Sequence, residues 1–69
     1  MSATITVNGN PRDWRGQTMR ELLAELGIPS DKGGVAVAVN AAVVPRAEWD
    51  SRAVAPDDRV EVVQIVRGG

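Results

Sequence analysis

Cysteine and histidine are both absent from this sequence of 69 residues. Their absence removes disulfides, thiol nucleophiles, zinc ribbons and imidazole bases together. Phenylalanine and tyrosine are missing as well, so Trp14 and Trp49 are the only aromatics, too few for a platform that stacks nucleobases. Neither sign of charge predominates: eight basic and nine acidic residues give a net charge of −1, with no run of one sign. Without a basic stripe to displace counterions from phosphates, no nucleic-acid partner is expected. No apolar run approaches the roughly 20 residues that a bilayer-crossing helix needs. The opening Met1-Ser2-Ala3-Thr4 has neither the charged nor the apolar stretch of a secretory leader. A cytoplasmic chain without membrane contact is the expectation. Acidic residues are scattered, and the adjacent pair Asp57-Asp58 follows Pro56 as turn residues do, so neither a metal site nor an acid–base pair is expected. The inventory argues against a self-sufficient enzyme.

What remains is ordinary material for a small globular domain. Hydrophobic residues make up 43% of the chain, and so short a chain supports one core, so residues 1–69 are expected to form a single domain. Thr4-Ile5-Thr6-Val7 alternates with the period of a half-buried strand. Asn8-Gly9-Asn10-Pro11 supplies turn chemistry, and Arg12-Asp13-Trp14 reads as a short return strand with Trp14 as a core anchor. Thr18-Met19-Arg20-Glu21 has the form of a capping box. Met19, Leu22, Leu23 and Leu26 then fall at i, i+3, i+4 and i+7, one apolar stripe of a helix that Gly27 and Pro29 bring to an end. That stripe is expected to pack on a sheet.

Lys32-Gly33-Gly34 reads as a turn into Val35-Ala36-Val37-Ala38-Val39, a strand with its valines on one face and Ala36 and Ala38 on the other. Val43-Val44 is expected to pair with it after a turn at Asn40-Ala41-Ala42. Residues 45–55 read as irregular, with a single helical turn at Arg46 to Trp49 and Trp49 plugging the open edge of the core. A last strand is expected from Arg59 to Val66, with Val60 and Val62 facing the helix. Strands at both ends and one helix between them define an α+β class. One helix covers one sheet face, and the arrangement that satisfies this is the β-grasp, or ubiquitin-like, roll: a mixed sheet of four to five strands crossed by one helix, first and last strands central.

The sequence stops at Gly68-Gly69. With glycine usage near 7%, two terminal glycines arise by chance in roughly 0.5% of chains. A disordered tail or an expression scar would explain a bare diglycine, but this one follows directly on a predicted central strand. A flexible tail over 67–69 would project from a rigid body. Lacking Cβ atoms, the two glycines can thread a channel too narrow for other residues. A carboxylate is inert, but a partner can adenylate one, after which sulfur can displace the adenylate and leave a thiocarboxylate. Such chemistry would ask no side chain of this sequence to act as acid, base or nucleophile.

The chain resembles the thiamine-biosynthesis sulfur carrier family (ThiS) over nearly its whole length. The resemblance is carried by Glu21-Leu22-Leu23-Ala24-Glu25-Leu26, Val35 to Asn40, Val43-Val44-Pro45-Arg46-Ala47-Glu48-Trp49, Asp58 to Val63 and Gly68-Gly69. It implies a β-grasp fold and adenylation of Gly69 by an ATP-using adenylyltransferase, the ATP belonging to that partner and no cofactor to the chain itself. It further implies a thiocarboxylate built with sulfur derived from cysteine, and delivery to thiazole synthase. Gly68 and Gly69 alone carry over as functional positions. Ala41 and Ala42 stand where members of that family often have Gly and a polar or acidic residue, which weakens the tight-turn reading at Asn40 without touching the tail. Arg67 before the glycines is closer to the ending of ubiquitin.

Two related readings share these features: a sulfur carrier of the molybdopterin synthase type, and a ubiquitin-like modifier joined to lysines through Gly69. An interaction domain with an inert tail is a third. Whichever holds, Val63 and Ile65 should lie on the uncovered sheet face and form, with Ala36 and Ala38, a patch that meets a partner. A bulge at Val62-Val63 that turned them inward would abolish that patch.

Overall fold

The computed structural model describes residues 3–29 and 33–64. Five strands form one mixed sheet: β1 (Thr4–Val7), β2 (Asn10–Asp13), β3 (Val35–Val39), β4 (Ala42–Val43) and β5 (Arg59–Gln64), in spatial order β2-β1-β5-β3-β4. The helix α1 (Met19–Glu25) lies between β2 and β3 in the chain, and a 3-10 turn at Arg46–Glu48 lies between β4 and β5. β1 and β5 are neighbours and parallel, while β5 pairs with β3 antiparallel. This is the β-grasp arrangement, with first and last strands at the centre. Among the described residues no helix is long and apolar enough to cross a membrane.

The β1–β2 connection is tighter than expected. Asn8 and Gly9 alone form the turn, with φ of 51° and 83°, the positive values that a two-residue hairpin loop requires. Asn10 and Pro11, expected in the turn, belong to the strand, and Pro11 sits opposite Thr6. Proline is tolerated because β2 is an edge strand. Trp14 falls just beyond the strand and is half-buried at the margin of the core rather than its anchor. Its Nε1 donates to the Val54 carbonyl at 2.6 Å.

Every early N–H of α1 is satisfied. Thr18 Oγ1 accepts from Glu21 N at 3.2 Å while the Glu21 carboxylate accepts from Thr18 N at 2.8 Å, completing the capping box. The irregular segment before β5 takes the other two: Met19 N donates to the Arg52 carbonyl at 2.8 Å and Arg20 N to that of Trp49 at 3.0 Å. At the other end Ile28 N donates to Leu23 O and Gly27 N to Ala24 O, a Schellman closure with Gly27 at φ 73°. Met19, Leu22 and Leu23 are buried and Leu26 is half-buried, so the expected stripe is the face that meets the sheet.

Under the helix lie Ile5 and Val7 of β1, Val37 and Val39 of β3, and Val60 and Val62 of β5. Val44, Trp49 and Val54 close the core from the side. Val44, expected in β4, leaves the strand and turns inward, and the pairing residues are Ala42 and Val43. The turn expected at Asn40-Ala41-Ala42 is made, although Ala42 itself joins β4: Val39 pairs with Ala42, and both Asn40 (φ 51°) and Ala41 (φ 71°) are left-handed. Asn40 holds it in place. Its Oδ1 accepts from Arg59 N at 2.9 Å and its Nδ2 donates to Asp58 Oδ1 at 3.0 Å, tying the turn to the start of β5.

Candidate functional site

β5 carries the chain to its C-terminal residues, so the site begins with what fixes β5. On one side the register with β3 runs unbroken from Val39↔Val60 to Val35↔Gln64, with no bulge at Val62-Val63. On the other side the β1 pairing covers Thr6↔Arg59 and Val7↔Val60 and then stops, because the chain turns away into β2. Asn8 continues the ladder with its side chain. Its Oδ1 accepts from Val62 N at 2.8 Å, its Nδ2 donates to the Val62 carbonyl at 3.2 Å, and its own N–H donates to the Val60 carbonyl at 2.9 Å. A carboxamide supplies one acceptor and one donor, as the backbone of a further β1 residue would. The strand that leads to the diglycine is thus gripped on both edges up to Val62. Ile65, Gly68 and Gly69 lie outside the described residues, as do the expected end of β5 at Val66, the tail 67–69, and Lys32.

Alternation along β5 sorts its side chains cleanly. Val60 and Val62 face the helix, whereas Arg59, Glu61 and Val63 face the uncovered side. Val63 is 56% exposed, as expected of a residue on the open face. The register puts Ala36 opposite Val63, and Val43 opposite Ala38 on the next strand. Val43 is 78% exposed, the largest value among the large hydrophobics of the described residues. Val63, Ala36, Ala38 and Val43 therefore form an apolar strip across β5, β3 and β4, bordered by Arg59 and Glu61. Val43 was missing from the expected patch. The signal was present in Val43-Val44: adjacent strand residues face opposite sides, and one of the two had to point away from the core.

Among the described residues, no three His, Cys, Asp or Glu side chains gather in a way that could hold a metal ion. Two guanidinium groups lie over the Trp49 ring, Arg46 at 5.6 Å and Arg20 at 5.9 Å from its centroid, and Arg20 is also paired with Asp50. They roof a buried indole and do not line a cleft.

A ubiquitin-like β-grasp domain whose last strand leads to a diglycine, beside an apolar strip on an open sheet face, has the design of a small carrier. Residues 5–69 match the ThiS family, and the chain belongs to it. The chain is 37% identical over 65 residues to the sulfur carrier protein ThiS of Thermus thermophilus, covering 94% of this chain and 98% of that one. The crystal structure of a thiamine biosynthesis protein (ThiS) from Geobacter metallireducens is similar with a TM-score of 0.75 and 32% identity, covering 96% of this chain and 99% of that chain. A thiazole synthase from Paramagnetospirillum magneticum is 36% identical over 66 residues, which make up 94% of this chain and 20% of that protein.

Proposed function

We propose that this chain carries sulfur on its C-terminal glycine for thiazole formation in thiamine biosynthesis. Membership of the sulfur carrier family, with the Gly68-Gly69 pair inside the matched residues, carries the reading. The Gly69 carboxylate attacks the α-phosphorus of ATP in an adenylyltransferase partner, forming an acyl adenylate as pyrophosphate leaves. Nucleophilic sulfur derived from cysteine then adds to the acyl carbon and AMP departs, which leaves a thiocarboxylate on Gly69. Gly68 keeps the tail slender enough to enter the partner's channel. ATP is bound by the partner, and the chain contributes the acceptor carboxylate and the surface that docks.

Docking falls to the strip of Val63, Ala36, Ala38 and Val43, and in this reading Ile65 contributes a further partner contact. Apolar surface on an otherwise polar sheet face is the usual mark of a partner site. Thiazole synthase is the sulfur acceptor in this reading, and the similarity between the chain and part of a protein named thiazole synthase supports the pairing. The reading is tested by mixing the chain with a ThiS-activating adenylyltransferase and ATP. Pyrophosphate release should require Gly69, and its persistence after Gly69 is deleted would overturn the reading.

A further inference from the structure

Asn8 and Gly9 form the tip of the β1–β2 hairpin, and the Asn-Gly pair is reactive as well as turn-forming. Glycine offers its backbone nitrogen without a side chain to hinder it, and a Cβ placed on Gly9 would meet nothing within 4 Å. Asn8 is exposed, so water reaches it. Its carboxamide is nonetheless not free, because both its polar atoms are bound to Val62, 54 residues away. A reactive pair is thus tied by one side chain to Val62, the last residue of β5 that is gripped on both edges.

We propose that Asn8 is a site of spontaneous deamidation, that the bonds to Val62 hold the reaction back, and that its product loosens the end of β5. The Gly9 nitrogen, losing its proton, attacks Asn8 Cγ. The new N–Cγ bond forms as the Cγ–Nδ2 bond breaks, and ammonia leaves with that proton. Water then opens the succinimide at either carbonyl, giving aspartate or isoaspartate. No oxidant, metal or enzyme takes part. While the clamp holds, Cγ is directed at β5, and rotation towards the Gly9 nitrogen breaks both bonds to Val62. Reaction therefore proceeds from the locally open state and follows its population.

The products cannot restore the clamp. Aspartate has two acceptor oxygens, so one can still take the Val62 N–H while the other meets the Val62 carbonyl without a proton between them. Isoaspartate adds a carbon to the main chain and shifts the register that lets Asn8 N–H reach Val60. Either product loosens the hold on the edge of β5 at Val62. That this ages the carrier out of service rests on the function proposed above. The chemistry and the loosening do not.

The full chain is aged at neutral and mildly alkaline pH, folded and in urea, and Asn8 is followed by peptide mapping with mass spectrometry. Two cooperating hydrogen bonds should make the folded rate roughly 10–30-fold slower than the unfolded one. The deamidated form, which gains a negative charge, is separated by ion exchange, and its amide hydrogen exchange is read at Val62 and Gln64. Exchange several-fold faster than in fresh protein is expected, approaching that of Asn8→Gly, which removes the clamp and keeps a residue suited to φ 51°. Equal rates of Asn8 loss in folded and unfolded chains, or unchanged exchange in the deamidated form, would overturn the proposal. Neither readout involves an activating enzyme, so its failure is distinct from failure of the carrier function.

Discussion

The indole of Trp49 donates its Nε1 proton to the carbonyl of Val44 at 3.1 Å, closing the intervening segment around the ring that it buries. Trp49 is 1% exposed, and the donated proton meets the one polar requirement of a large apolar plug. Arg46, three residues earlier, covers the ring from outside. The segment Val44-Pro45-Arg46-Ala47-Glu48-Trp49 thus closes the core.

Trp49→Ala should therefore cost about 3–5 kcal/mol, a large fraction of what a domain this size possesses. Chemical denaturation reads the loss directly. An unchanged midpoint would mean that the ring is not the plug described above.

Ala41 offers the opposite change. It occupies φ 71°, where a Cβ is strained, in a turn whose geometry glycine accepts freely. Ala41→Gly relieves that strain but also loosens the unfolded chain, so a net gain on the order of 0.5–1 kcal/mol is expected. For a domain of 60–100 residues, thermal melting should shift upward by roughly 2–8 °C. A lower melting temperature would contradict the strain.

The open sheet face gives a third prediction. Val63→Asp and Val43→Asp place a charge on side chains already in water and should change stability by no more than about 0.5–1 kcal/mol. Binding to the activating enzyme should weaken at least tenfold if the strip is the docking surface. Titration calorimetry of the folded variants separates the two effects. Unaltered affinity would move the contact elsewhere, and an unfolded Val63→Asp chain would return that residue to the core.

Most of the framework was legible because it rests on local periods. Alternation marked β1, β3 and β5, the 3.6-residue stripe marked α1, and Thr18 with Glu21 marked its start. Errors arose where tertiary position overrules local chemistry. Pro11 reads as a strand breaker, yet it is harmless on an edge, and edge status is decided by which strands lie beside β1. Ala42 reads as a turn residue, yet it pairs with Val39, because a two-residue turn suffices where Asn40 is anchored to Asp58 and Arg59 across 18 and 19 residues. Asn8 reads as a turn residue and nothing more. Its partnership with Val62 exists only because β1 and β5 are parallel neighbours, a relationship no window of sequence contains. Of the candidate site, Val63 was placed correctly on the open face, and Val43 was missed although its neighbour Val44 pointed inward.

The glycine pair Gly68-Gly69 yields the last variants. Gly68→Val restricts φ and widens the chain one residue before the carboxylate, and an alanine added after Gly69 displaces the carboxylate and attaches a Cβ beside it. Both should leave the unfolding midpoint within about 0.5 kcal/mol of wild type, since neither position has a side chain in the core. Gly68→Val should lower the rate of adenylation at least tenfold, and the alanine extension should abolish it, measured as pyrophosphate release.

Intact-mass measurement of the chain after incubation with its activating enzyme, ATP and a cysteine-derived sulfur donor tests the central claim most directly. The expected result is exchange of one carboxylate oxygen for sulfur on Gly69 in the wild type and none in the alanine-extended chain. Wild-type protein that stays unmodified, one that ends instead in isopeptide bonds to lysines, or an extended chain loaded as fully as the wild type would contradict it.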